Sequence, residues 1–198
     1  MVSCSVLKEE IEQLVNDGAL DVELVFVDKY FHVEYGLLEE NLRLALSEAV
    51  SRFPGGVVVV YGDLCLGPNG EIHKLMEEFG VVKVDALNCI DCLLGGKGVF
   101  SQADPNHEFL FLGPGMTGFF RDFEEKLRQE TNQDVDPELL RKFFVGLKGI
   151  VLLDSLGAAR RSKEEIEKLN TGLPILEIRK IGLENLKSVI REAIARTR

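Results

Sequence analysis

The segment Val57-Val58-Val59-Val60-Tyr61 is an unbroken apolar run made almost wholly of β-branched residues. A strand with one wet face would alternate apolar and polar side chains, so a run without alternation predicts a strand covered on both faces. Pro54-Gly55-Gly56 breaks the chain ahead of it, and a glycine-rich stretch, Gly62 to Gly70, follows. Helices must lie above and below such a strand, which commits its neighbourhood to a parallel α/β arrangement.

The rest of the chain repeats that pattern. Short apolar runs predict further strands at Val22 to Val27, Val81 to Val84, Glu108 to Leu112, Ile150 to Leu153 and Ile175 to Ile178. Between them, helical spacing predicts helices from a Ser5 cap to about Asn16, then Leu37 to Arg52 and Glu71 to Phe79. Later helices are expected at Phe119 to Glu130, at Pro137 to Leu147 behind an Asp136 cap, at Ser162 to Leu169 and at Leu183 to Arg196. Gly98 to His107 reads as loop. With 198 residues, and no linker or fixed-period repeat, the expectation is one α/β domain over residues 1–198. It is a three-layer sandwich around a mainly parallel, Rossmann-like sheet.

In such a sheet ligands bind beyond the carboxyl ends of the strands. That is where the cysteines fall: Cys65 follows the Val57 strand, and Cys89 and Cys92 follow the Val81 strand at the entry of a short helix ended by Gly95-Gly96. Cys4 stands just before the first helix, after a very short apolar start. Gathered thiolates bind zinc or iron–sulfur clusters, do redox chemistry or supply a nucleophile. Cys89-x-x-Cys92 has the spacing for two ligands to one ion, and Cys65 would be a third. Cys4, His32 and His73 are candidates for the fourth. Inert core cysteines and a redox dithiol are the competing readings, the latter weakened because thioredoxin-like motifs belong to another topology.

Other function classes fare less well. The chain carries 33 acidic against 23 basic residues, a net charge of -10, which opposes the polyanionic backbone of nucleic acid. No apolar stretch is long enough to span a membrane, and the start lacks the features of a signal peptide. A cytoplasmic protein with reduced thiols is the expectation. Gly113-Pro114-Gly115-Met116-Thr117-Gly118 matches G-x-G-x-x-G, but the acidic residue a dinucleotide fold wants about 20 residues on falls between two helices. Gly113, Gly115 and Gly118 are therefore expected as a strand-to-helix turn, with close approach to an anionic ligand as their functional alternative. The Gly62 to Gly70 stretch lacks the Lys-Ser/Thr of a P-loop. Asp63, Asp85 and Asp91 are candidate acid/base groups whose commoner role is capping and amide binding.

These residues also carry a resemblance. Cys4 before an amphipathic helix, His32 ahead of the second helix, Tyr61-Gly62-Asp63 with Cys65 and glycines, then Cys89 in a loop, resemble the family named domain of unknown function 1638 (DUF1638). Leu64 is an insertion in that family's Tyr-Gly-Asp-Cys-Gly segment, Asn88-Cys89 replaces a His-Cys step, Cys92 is additional, and Leu112-Gly113 replaces a Leu-Thr-Asp-like segment. The family occurs in methanogens and anaerobic bacteria, often beside corrinoid methyltransferase genes. The resemblance implies a cytoplasmic accessory or enzyme of corrinoid-linked methyl transfer or one-carbon metabolism. Its expected site is a zinc or iron–sulfur centre on Cys4, Cys65 and Cys89, completed by Cys92 or His32. The alternative is a non-catalytic module that binds a corrinoid, another small molecule or a corrinoid methyltransferase protein in the crevice, with Gly113, Gly115 and Gly118 near the ligand.

Overall fold

The computed structural model describes residues 1–119, 144–169 and 171–197. The chain divides into two compact units, Met1–Phe100 with Leu183–Arg198, and Ser101–Gly182. Where strand alternation alone predicts one sheet, the described strands form two, one in each unit. Every strand pairing in both is parallel, so the α/β class stands while the strands are shared out differently.

The first unit holds β1 (Val2–Cys4), α1 (Lys8–Asn16), β2 (Val25–Val27), α2 (Tyr35–Arg52), β3 (Val58–Val60), α3 (Glu71–Phe79), β4 (Val82–Lys83) and α4 (Cys89–Leu94). The short helix α5 (Val99–Ala103) lies where one unit gives way to the next in sequence. Its sheet runs β2-β1-β3-β4. The order reverses after β2, so the topological switch point lies between β1 and β3. The Val57–Tyr61 run is buried throughout, as a central strand covered on both faces requires. Leu38, Leu42 and Leu46 of α2 and Ile72 and Leu75 of α3 pack with Val2, Cys4, Val59 and Tyr61 in one core.

Helix α1 departs from expectation at its start. A 3₁₀ turn over Ser5–Leu7 precedes it, and the cap is the Cys4 thiol, which accepts the Val6 N–H at 3.4 Å. Ser5 is not the cap. Its hydroxyl instead accepts the Lys29 N–H at 2.8 Å and ties the end of β1 to the end of β2.

The second unit contains β5 (Phe109–Leu112), β6 (Gly149–Asp154), α6 (Ala159–Leu169) and β7 (Ile175–Lys180), with sheet order β5-β6-β7. Helix α7 (Glu184–Ala195) belongs to the first unit and packs on α4, β3 and β4. Residues 114–119 are already helical, earlier than the expected start at Phe119, because Pro114 presets the first helical position. Gly115 and Gly118 thus sit inside this helix rather than in a turn. The expected helices over 119–130 and 137–147 fall largely outside the described residues.

Candidate functional site

All four strands of the first sheet deliver side chains to its carboxyl edge. Cys4 ends β1, and Tyr61 directly follows β3, whose last residue, Val60, pairs with Ser3. Behind β2, Asp28 caps a 3₁₀ turn over Lys29–Val33 by accepting the Tyr30 N–H, and that turn carries His32. Cys65 lies in the loop after β3, while Cys89 and Cys92 occupy the first turn of α4 beyond β4.

The two loops that bear thiols are laced together. Asp63 N–H donates to the Ala86 carbonyl at 2.8 Å and Leu64 N–H to that of Leu87 at 3.0 Å. Between them Gly62 lies so close that a Cβ would stand 2.3 Å from the Leu87 carbonyl oxygen. Only glycine permits this approach, which is what brings the Cys65 loop onto the Cys89 loop. The Gly62 N–H in turn donates to Cys65 Sγ at 3.3 Å.

Asn88 and Asp91 fix α4. Asn88 Oδ1 accepts the Asp91 N–H, and the buried Asp91 carboxylate accepts N–H groups from Leu87, Gly98 and Phe100 at 2.8–3.0 Å. Asn88 and Asp91 therefore hold the turn that presents the thiols. Asp91 works as an amide binder, the commoner of the two roles its sequence context predicts.

The thiols influence one another. Burial, chiefly, pushes Cys4 up to about 12, Cys65 up to about 11 and Cys92 up to about 12, and raises Cys89 well above its ordinary value. Cys89 is raised further by Cys65, Cys4 and Cys92, and Cys65 raises both Cys4 and Cys92. All four therefore share one electrostatic neighbourhood, in which a cation would reverse the penalty by favouring thiolate. Cys4 Sγ and His32 Nδ1 are 3.8 Å apart, and burial lowers the His32 pKa. As the side chains stand, no three His, Cys, Asp or Glu among the described residues form a ready metal-binding group. The donors fit a soft cation by chemistry and convergence, and the thiols must turn toward a common point to hold one.

Two features escape sequence reasoning. Tyr61 is 2% exposed, its ring is stacked on His32 with an interplanar angle of 5°, and its hydroxyl acts on the Cys4 thiol. The second is Lys83, the lone lysine in an apolar run, whose buried ammonium meets Asp63 and favours the thiolate at Cys65 and Cys92. His73, a candidate fourth ligand, instead places Nε2 3.1 Å from Asp63. Gly113, Gly115 and Gly118 belong to the second unit.

These elements define an α/β protein with parallel sheets of Rossmann-like type, whose cysteines lie beyond the carboxyl ends of the strands of the first sheet. The chain belongs to the DUF1638 family, described as proteins of unknown function, whose family model matches residues 26–190. That span includes His32, Cys65, Cys89 and Cys92. No curated protein and no solved structure matches the chain. Among the described residues no helix is long and apolar enough to cross a membrane.

Proposed function

We propose that the first unit is a cytoplasmic metal-binding unit holding zinc or an iron–sulfur cluster on Cys4, Cys65 and Cys89, with Cys92 or His32 completing the set. The observation that carries this reading is the convergence of four thiols from three neighbouring strand ends into mutual electrostatic range. Burying so many thiols together at a ligand-binding edge has little use for packing alone, since apolar residues of similar size would pack without the exposure to oxidation.

A bound zinc would supply Lewis acidity and keep a sulfur deprotonated, whereas a cluster would supply electron transfer. The chain's own residues do the rest. Gly62 and Asp91 hold the two cysteine loops in contact, Lys83 offsets negative charge at Cys65 and Cys92, and the core beneath excludes water. Service to corrinoid-linked methyl transfer or one-carbon metabolism, beside a corrinoid methyltransferase protein, is the role we propose for such a site.

A second reading is favoured by the switch point in the strand order, a place where open α/β sheets bind ligands without needing a thiol. In it the unit is a corrinoid- or partner-binding module. Cys65→Ala and Cys89→Ala variants separate the two. Stoichiometric metal in the parent protein that disappears in both variants supports the metal site, and corrinoid binding that survives both substitutions supports the module.

A further inference from the structure

Strand β7 ends its sheet, with β6 on one side and, among the described residues, no strand on the other. An edge strand presents unpaired N–H and C=O groups that can template a further strand. A register shift against β6 falls before Glu177, and from Glu177 to Lys180 the pairing with Val151 to Asp154 is regular. Within that stretch Ile178 is 44% exposed. It lies level with Leu152, which shares a core with Ile166 of α6, and with Ile166, Leu173 and Ile175 it lines a groove of about 620 Å³.

The backbone and the order of the charges define what fits this edge. Ile181 N–H donates to the Asp154 carbonyl at 3.1 Å, so Arg179 and Ile181 turn their backbone groups to β6. By alternation Ile178 and Lys180 turn theirs to the open side. On the opposite face of the strand from Ile178, Arg179 donates two bonds of 2.8 Å to the Glu177 carboxylate, and its guanidinium lies over the Phe111 ring.

Charges on an edge usually discourage pairing, but these two are self-complementary. In an antiparallel ladder the paired residues both turn their backbone groups inward or both outward, so a two-fold axis relating two β7 strands passes beside a single residue. Centring it at Glu177, Arg179 or Lys180 sets that residue against the same charge, which destabilises a strand pair. Centring it at Ile178 sets each Glu177 opposite the Arg179 of the other copy. Ile178 then exchanges both backbone bonds with its counterpart, and the charged residues occupy the non-hydrogen-bonded positions, where side chains approach most closely.

We propose that β7 is a self-association edge: two copies of this chain pair through antiparallel β7 strands about an axis at Ile178, which joins their β5-β6-β7 sheets into one and covers each Ile178 with the other. The inference is independent of the metal site.

Sedimentation equilibrium over a concentration series, on protein purified without oxygen, tests it with Glu177→Arg, Arg179→Glu and the doubly substituted chain, circular dichroism confirming a common fold. The parent is expected to be dimeric. Each single variant should dissociate about tenfold more readily, because both facing pairs become like-charged. The double variant exchanges the two charges at constant net charge and should associate as the parent does, and an equimolar mixture of the two single variants should form mixed dimers. A monomeric parent, single variants as dimeric as the parent, a double variant that stays dissociated, or a mixture that stays monomeric would each overturn the inference.

Discussion

The Lys83 ammonium lies 2.5 Å from Asp63 Oδ1, so the last residue of the edge strand β4 is bound to the loop that follows β3. Lys97 reaches the other carboxylate oxygen at 2.6 Å, and Lys83 also donates to the Val84 carbonyl. One carboxylate thereby neutralises a buried cation and fastens the floor of the cysteine site.

Asp63→Asn leaves that buried cation without its counter-charge, and breaking such a pair costs about 3 kcal/mol. Urea unfolding of the metal-free proteins at pH 7 measures it. Burial opposes ionisation of Asp63, but hydrogen bonds from Lys83 and Lys97 win and hold its pKa below the ordinary 3.8. A group depressed in the folded state stabilises above its unfolded pKa, and that contribution is lost as pH falls through the folded value. Parent and Asp63→Asn stabilities should therefore converge as the pH drops below about 4. Curves that stay parallel would show that the ion pair is not the source.

Gly62→Ala places a methyl group 2.3–2.5 Å from the Leu87 and Asn88 backbone. The cost is about 2 kcal/mol or more, because the clash is with main chain rather than a yielding side chain. The same substitution pushes the Cys65 and Cys89 loops apart, so metal retained by the parent should be lost. Thermal unfolding and metal stoichiometry together check both halves.

Asp91→Ala strips three backbone amides of their acceptor. A destabilisation of about 3 kcal/mol is expected from leaving buried donors unmet. Hydrogen exchange gives the local signature: Leu87, Gly98 and Phe100 should exchange faster, while amides of β1 stay protected.

In the metal-free folded protein the thiols should react slowly with a disulfide reagent at pH 8, because burial keeps them protonated. Cys65, raised least among those with a defined value, at about 11, should be modified first. All four should titrate after denaturation. Fast reaction of Cys4 or Cys92 would contradict their burial.

Much of this site was legible in the sequence because it follows strand ends. The Val57–Tyr61 run declared a central parallel strand, and in a parallel sheet the residues after each strand gather at one edge, which is where Cys65, Cys89 and Cys92 fall; the apolar start before Cys4 was too short to declare the strand that ends there. The second sheet was not legible, because periodicity identifies strands and carries nothing about which strands pair. Pro114 advanced a helix start that the glycines around it had disguised. Cys4 took the capping role expected of Ser5, since the Ser5 hydroxyl was drawn to Lys29 across the neighbouring strand end. Lys83 and Tyr61 are tertiary facts: nothing local distinguishes a lysine that reaches Asp63, or a tyrosine that stacks on His32.

The central claim is that these thiols hold a metal. Metal and acid-labile sulfide analysis of protein purified without oxygen, with an ultraviolet–visible spectrum, tests it most directly. The account predicts about one zinc ion or one iron–sulfur cluster per chain. A folded, colourless protein free of metal and sulfide would contradict it.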